Sequence, residues 1–302
     1  MNHEKLYDFV NPADSSCVLG EVKTTLPELF TSHHGHVFKQ AFHDVKQLFS
    51  GHYPGYKASN TLYHDFEHTC SVTLATMRLI YGAISEGHTY STSEITKGLL
   101  AALFHDVGLI QALDDDNGTG AKYTVGHEER SIQFMQANLE GCLSIEDIAD
   151  IADCITCTIL SQSPADIPFR TENMRMMGNF IGSADLLAQI ADRHYIEKLL
   201  LLFEEFKEAK LPGYETPFEL LHKTRNFYQD VARKRLDQEL GNVDRFMTPY
   251  FVKRWDVERD FYAEAIHNNL DYLDRILKQC HDDLDCFMKR LRRRKSKPKS
   301  QC

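Results

Sequence analysis

Nine prolines punctuate this 302-residue chain, and none falls between Pro54 and Pro164. So long a proline-free stretch keeps its backbone N–H groups available for helix ladders. Its apolar residues recur at steps of three and four, the period of a helix face. Cys70, Leu74, Met77, Ile80 and Tyr81 form one such stripe over 66–81. Ile95, Leu99, Leu100, Leu103 and Phe104 form another, introduced by Ser91-Thr92-Ser93-Glu94, which has the form of a capping box. Further helices are expected over 127–138, 144–160 and 173–210, the last with little or no interruption before Pro212-Gly213. Long amphipathic segments run from Pro217 to Lys278. No internal repeat or βαβ pattern is visible. The expectation is an all-α fold, a helical bundle with a helical C-terminal extension. Residues 1–50 read as an N-terminal helical segment and 51–212 as the core. Residues 213–288 read as helices packing on it, and 289–302 as a basic, disordered tail.

The charge pattern narrows the function classes. The chain carries a formal −10, but residues 289–302 hold eight basic side chains and no acids, leaving 26 basic against 44 acidic residues, or −18, for the rest. An acidic body is a poor general surface for nucleic acid. The tail offers contact with anionic lipid, nucleic acid or an acidic protein, its plainer reading being a solvated terminus. The N-terminus Met1-Asn2-His3-Glu4-Lys5 leads into no apolar signal segment, and no stretch approaches the roughly 20 apolar residues that span a bilayer. Eight cysteines in 302 residues are too sparse for a disulfide scaffold, so reduced thiols and a cytoplasmic location are expected. Cys154-Ile155-Thr156-Cys157 has CxxC spacing but lies in a helical apolar pattern, so it reads as two packing cysteines. The acidic loop Asp114 to Gly120 lacks the spacing to a terminal glutamate that a calcium loop needs.

The chemistry is carried by His105-Asp106, which ends the apolar run Leu99 to Phe104. Adjacent residues can both reach one metal ion where a helix ends. His68 upstream and Asp185 downstream would complete a shell of two imidazoles and two carboxylates. Such a set suits Mn, Fe, Zn, Ni or Mg, and open positions on the ion would let it activate water. Asp106 has two oxygens and so could bridge two ions. His64, one helical turn before His68 if the helix begins by residue 64, is placed as a general acid, with Glu67 or Asp65 to orient it. Lys122, Arg130, Arg170 and Arg175 are candidate phosphate-holding cations, Lys122 and Arg130 foremost.

With these residues in view, the chain resembles the HD-domain superfamily of metal-dependent phosphohydrolases. Tyr63-His64-Asp65-Phe66-Glu67-His68 and Ala101-Ala102-Leu103-Phe104-His105-Asp106-Val107 are similar to the motifs of its cyclic nucleotide phosphodiesterase branch, over about 63–192. The resemblance implies His68, His105, Asp106 and Asp185 as metal ligands and His64 as the proton donor. It implies His127, in Gly126-His127-Glu128-Glu129-Arg130-Ser131, on a second-metal or phosphate side, although a helix-start histidine bonded to backbone is the simpler alternative. Gly108-Leu109-Ile110-Gln111 departs from that branch, and no histidine lies between Glu128 and Ala184. One tight divalent ion and a weaker second are therefore expected. The implied function is hydrolysis of a phosphoester, a nucleotide or cyclic nucleotide, with a non-catalytic metal-binding regulatory module of the same fold as the alternative. The C-terminal helices could also serve a homodimer.

Overall fold

Helix follows helix along the chain, as the apolar spacing demands. A computed structural model describes residues 4–291. Thirteen α-helices occur among the described residues. They are α1 (Leu6–Phe9), α2 (Ser15–Thr25), α3 (His33–Phe49), α4 (Phe66–Ser85), α5 (Thr92–Phe104), α6 (His127–Leu139) and α7 (Ile145–Thr156), then α8 (Glu172–Ala191), α9 (Tyr195–Glu208), α10 (Pro217–Asn226), α11 (Met247–Trp255), α12 (Phe261–Cys280) and α13 (Leu284–Leu291). Two π-helical stretches, Phe227–Ala232 and Arg235–Glu239, continue the winding of α10. There is no strand among the described residues, and one antiparallel bridge joins Tyr56 to Ala112. The fold is all-α.

At its centre α4 and α5 pack on one another and on α8. α4 is buried almost all round from His68 to Ala83, which an apolar helix achieves by being enclosed. Two of its hydroxyls are satisfied within the helix, Thr73 donating to the Thr69 carbonyl at 2.9 Å and Ser71 to that of Glu67 at 2.9 Å, while those of Thr69 and Thr76 are buried without a partner. α5 begins at the expected box, with Ser91 accepting from the Glu94 N–H while the Glu94 side chain accepts from Ser91. The C-terminal helices seal this core, α11 against α4 and α12 against α8. Gly82 makes the first contact possible, since a Cβ there would lie 1.9 Å from the Phe246 carbonyl oxygen. One buried apolar cluster takes in residues from Leu6 to Leu291.

Several boundaries differ from the sequence expectation. The helix expected over 173–210 is two helices: α8 ends at Ala191, and Asp192 turns the chain by accepting from the His194 N–H at 2.8 Å. α7 ends at Thr156 rather than near residue 160. Buried Arg235 takes up the carbonyl oxygens freed there, donating to those of Cys157, Ile159, Leu160 and Gln162. The tail begins later than expected, because Lys289 and Arg290 belong to α13. Residues 292–302, and the tail reading with them, lie outside the described residues. The expectation of reduced thiols fails at Cys280 and Cys286, which form a disulfide. His281 and Asp282, both in left-handed backbone (φ 45° and 62°), reverse the chain and bring the two together. Cys154 and Cys157 are unbonded and buried, and burial pushes both thiols up, Cys157 to about 12, as packing cysteines require. Among the described residues no helix is long and apolar enough to cross a membrane.

Candidate metal centre

Three breaks in the helical pattern bring the site together. Asp65 caps α4 by accepting from the His68 N–H at 2.8 Å, so His68 stands on the first turn. α5 ends at Phe104, and His105 and Asp106 occupy the turn beyond it, where adjacent side chains can converge. Asp185 comes from the middle of α8.

The four groups meet. His68 Nε2 lies 3.1 Å from Asp185 Oδ1 and 3.5 Å from Asp106 Oδ2. His105 Nε2 lies 3.2 Å from Asp106 Oδ2 and 3.8 Å from Asp185 Oδ1. One ligand atom each from His68, His105 and Asp185 falls within 4.8 Å of the others. Nδ1 of His105 donates to the Ala102 carbonyl at 2.8 Å, which leaves Nε2 to face the carboxylates. His105 Nε2 and Asp106 Oδ2 are buried without hydrogen-bond partners. Buried polar atoms are rarely left so, and two pointing at one place fit a divalent cation held by nitrogen and oxygen.

The other Asp106 oxygen faces a second histidine. His127, the first residue of α6, lies with Nε2 3.2 Å from Asp106 Oδ1, while its Nδ1 donates to the Thr124 carbonyl at 2.9 Å. The backbone-bonded and site-facing readings of His127 thus describe its two ring nitrogens. Burial disfavours the charged form of His105 and His127, but Asp106 outweighs it and pushes both up to about 9. Burial likewise raises the Asp106 carboxyl, and His105 and His127 bring it well below the usual range. The pocket is built to hold positive charge.

His64 does not share a helix face with His68, because α4 starts two residues after it. It sits on the preceding turn, its ring 6.2 Å from that of His127. Its orienting carboxylate is neither Asp65, which caps α4, nor Glu67. It is Glu205 of α9, whose Oε2 accepts from His64 Nδ1 at 2.7 Å while Oε1 accepts from the Tyr63 N–H at 2.7 Å. Burial opposes the His64 cation, but the Glu205 hydrogen bond and the Asp106 charge raise its pKa above the ordinary value. Sequence reasoning missed Glu205, although an acid among Leu199, Leu202, Phe203 and Phe206 of an otherwise apolar helix face was a usable signal.

None of the four expected phosphate-holding cations reaches the site. Lys122 is held by Asp115 and the Asn117 carbonyl. Arg130 donates to the carbonyls of Gly108 and Ile110 and lies 3.6 Å over the Tyr123 ring. Arg170 pairs with Asp150, and Arg175 with the Pro164 carbonyl and Glu172. Each is taken up by oxygen partners away from the site. Arg130 nonetheless fixes the turn after Asp106, together with Ser131, whose hydroxyl donates to the His105 carbonyl and accepts from the Gly108 N–H.

A cavity of about 440 Å³ opens over these groups, with His64, Asp106, His127 and Asp185 at its polar end. α9 and α10 supply much of its far wall, including Leu199, Leu202, Phe206, Leu220 and Lys223. A family model described as Npun_R2479-like matches residues 18–145 and residues 112–248, the two matches together reaching from residue 18 to 248. No curated protein matches the chain.

Proposed function

The chain belongs to the Npun_R2479-like family, and we propose that it is a divalent-metal-dependent phosphohydrolase, as the resemblance to HD-domain enzymes implies. The observation that carries the reading is Asp106, whose two oxygens face His105 and His127 on opposite sides of one carboxylate. His68, His105, Asp106 and Asp185 would hold the tight ion, and Asp106 with His127 the weaker one. When bound, the ion supplies charge neutralisation for the phosphate and acidifies water at neutral pH. The protein's own part is positioning and proton transfer. Water attacks phosphorus, the P–O bond to the organic group breaks, and the departing oxygen takes the proton from His64 Nε2. Glu205 fixes the ring through Nδ1 and favours its charged form, the form that carries the proton to be donated. The water's proton passes to solvent, which recharges His64.

The test joins metal analysis of the purified chain with a phosphoester panel assayed in Mn, Mg, Zn, Fe and Ni. Metal at one or two equivalents and turnover lost in Asp106→Ala support the reading. Bound metal with no hydrolysis of any ester favours the non-catalytic regulatory module.

A further inference from the structure

We infer that the substrate is a phosphoester bearing a single phosphate on an uncharged, largely hydrocarbon group; this rests on the phosphohydrolase reading above. Away from the metal ligands, the cavity is walled mainly by carbon, with Leu186, Leu199, Leu202, Phe206, Leu220 and Phe227 around the space an organic group would fill. At about 440 Å³ it is sized for a small organic molecule and is continuous with the ligand cluster, so phosphate and hydrocarbon would occupy its two ends.

Charge decides against a polyphosphate. Lys223 is the one Lys or Arg among the lining residues, and its Nζ is engaged by the Gly213 carbonyl at 2.7 Å and by the Tyr214 ring at 5.2 Å. Glu128 lines the polar end. A second or third phosphate would therefore meet an acid and no guanidinium, whereas tight polyphosphate sites rely on bidentate arginine or several lysines. Gln189 is the single side-chain amide on the wall, against the several donors and acceptors needed to satisfy a base and a ribose. Hydroxyls of Thr158, Ser161, Tyr195, Tyr214 and Thr224 also line the wall, but carbon makes up most of it, so the cavity rewards burial of methylene groups.

The experiment uses the full chain loaded with its activating metal. Alkyl phosphates from methyl to octyl, and their methyl diesters, are compared with AMP, cyclic AMP and ATP, with hydrolysis followed by phosphorus NMR. The expected result is a kcat/KM that rises up to about fourfold per added methylene until the cavity is filled, with ATP the poorest substrate. Phe227→Ala should flatten the chain-length dependence while leaving metal content unchanged. A flat series, or a nucleotide preferred over octyl phosphate, overturns the inference but leaves the phosphohydrolase reading intact. If no ester is hydrolysed, that reading fails, and calorimetric binding of butyl- and octylphosphonate decides the cavity separately. Tighter octyl binding upholds the apolar ligand class; equal or absent binding overturns it.

Discussion

Nδ1 of His64 lies 2.7 Å from Oε2 of Glu205, a residue 141 positions further along the chain. The other oxygen of the same carboxylate holds the Tyr63 N–H at 2.7 Å. One buried side chain thus fixes the turn that carries His64 and the ring itself. Glu205→Gln, which can keep one of the two contacts, should retain metal and lower kcat on the order of tenfold or more. His64→Ala should also retain metal and lower kcat by about 10²–10⁴. The double variant should be no worse than His64→Ala alone. Loss of metal from His64→Ala, measured by elemental analysis, would refute the proton-donor assignment.

A metal bound at the ligand cluster should couple to stability. Each of the two imidazoles lies within 4 Å of each of the two carboxylates, and an ion bound to the folded chain alone would stabilise it by mass action. Free metal at a hundred times its Kd should add about 2.7 kcal/mol, read as a rise in Tm that a chelator reverses. In Asp106→Ala the chelator should leave Tm unchanged.

Gly108 is where α6 presses on the turn after Asp106. A Cβ there would lie 2.0 Å from the His127 carbonyl oxygen and 2.6 Å from the Ser131 backbone nitrogen. Gly108→Ala should cost at least about 2 kcal/mol in urea unfolding through overpacking. It should also weaken the second metal more than the first, because the displaced segment carries His127. Wild-type stability in this variant would count against the close approach.

Asp150 gives a pH signature away from the site. It is buried and accepts from Lys97 at 2.6 Å and from Arg170 at 2.6 Å through both oxygens. Burial raises its pKa, but the hydrogen bonds from Arg170 and Lys97 outweigh that and bring it below the usual carboxylate range. A lowered folded-state pKa contributes stability above the unfolded value, near pH 4, and loses it as pH falls through the folded value. Asp150→Asn should therefore cost about 3 kcal/mol at pH 7. The gap to wild type should shrink as pH falls below about 4, as measured by denaturant unfolding.

What the sequence disclosed was local. Ser91 and Glu94 are three residues apart, and their reciprocal cap is formed as the spacing suggests. His105 and Asp106 announce themselves by ending an apolar run, and the structure brings His68, Asp185 and His127 to them. The misreadings concern partners whose approach depends on the fold rather than on local spacing. Lys122 and Arg130 are free cations on paper, but their oxygen partners come from a loop and a turn whose positions depend on the fold. Glu205 needs α9 folded back over residue 63 before it means anything. Cys280 and Cys286 pair because two left-handed residues reverse the chain, and no periodicity signals that.

α9 carries Glu205 and, on neighbouring turns, Leu199, Leu202 and Phe206 of the cavity wall; α10 carries wall residues alone. The two helices are therefore unequal as material for divergence. On the phosphohydrolase reading, a heritable change that reshapes the wall from α9 would disturb Glu205 and with it His64, the proposed proton donor, so recognition and rate would drift together. The same change made from α10 leaves the reacting groups where they were. On that reading, α10 and the π-helical turns after it are where the cavity wall can change without touching the groups assigned to the reaction.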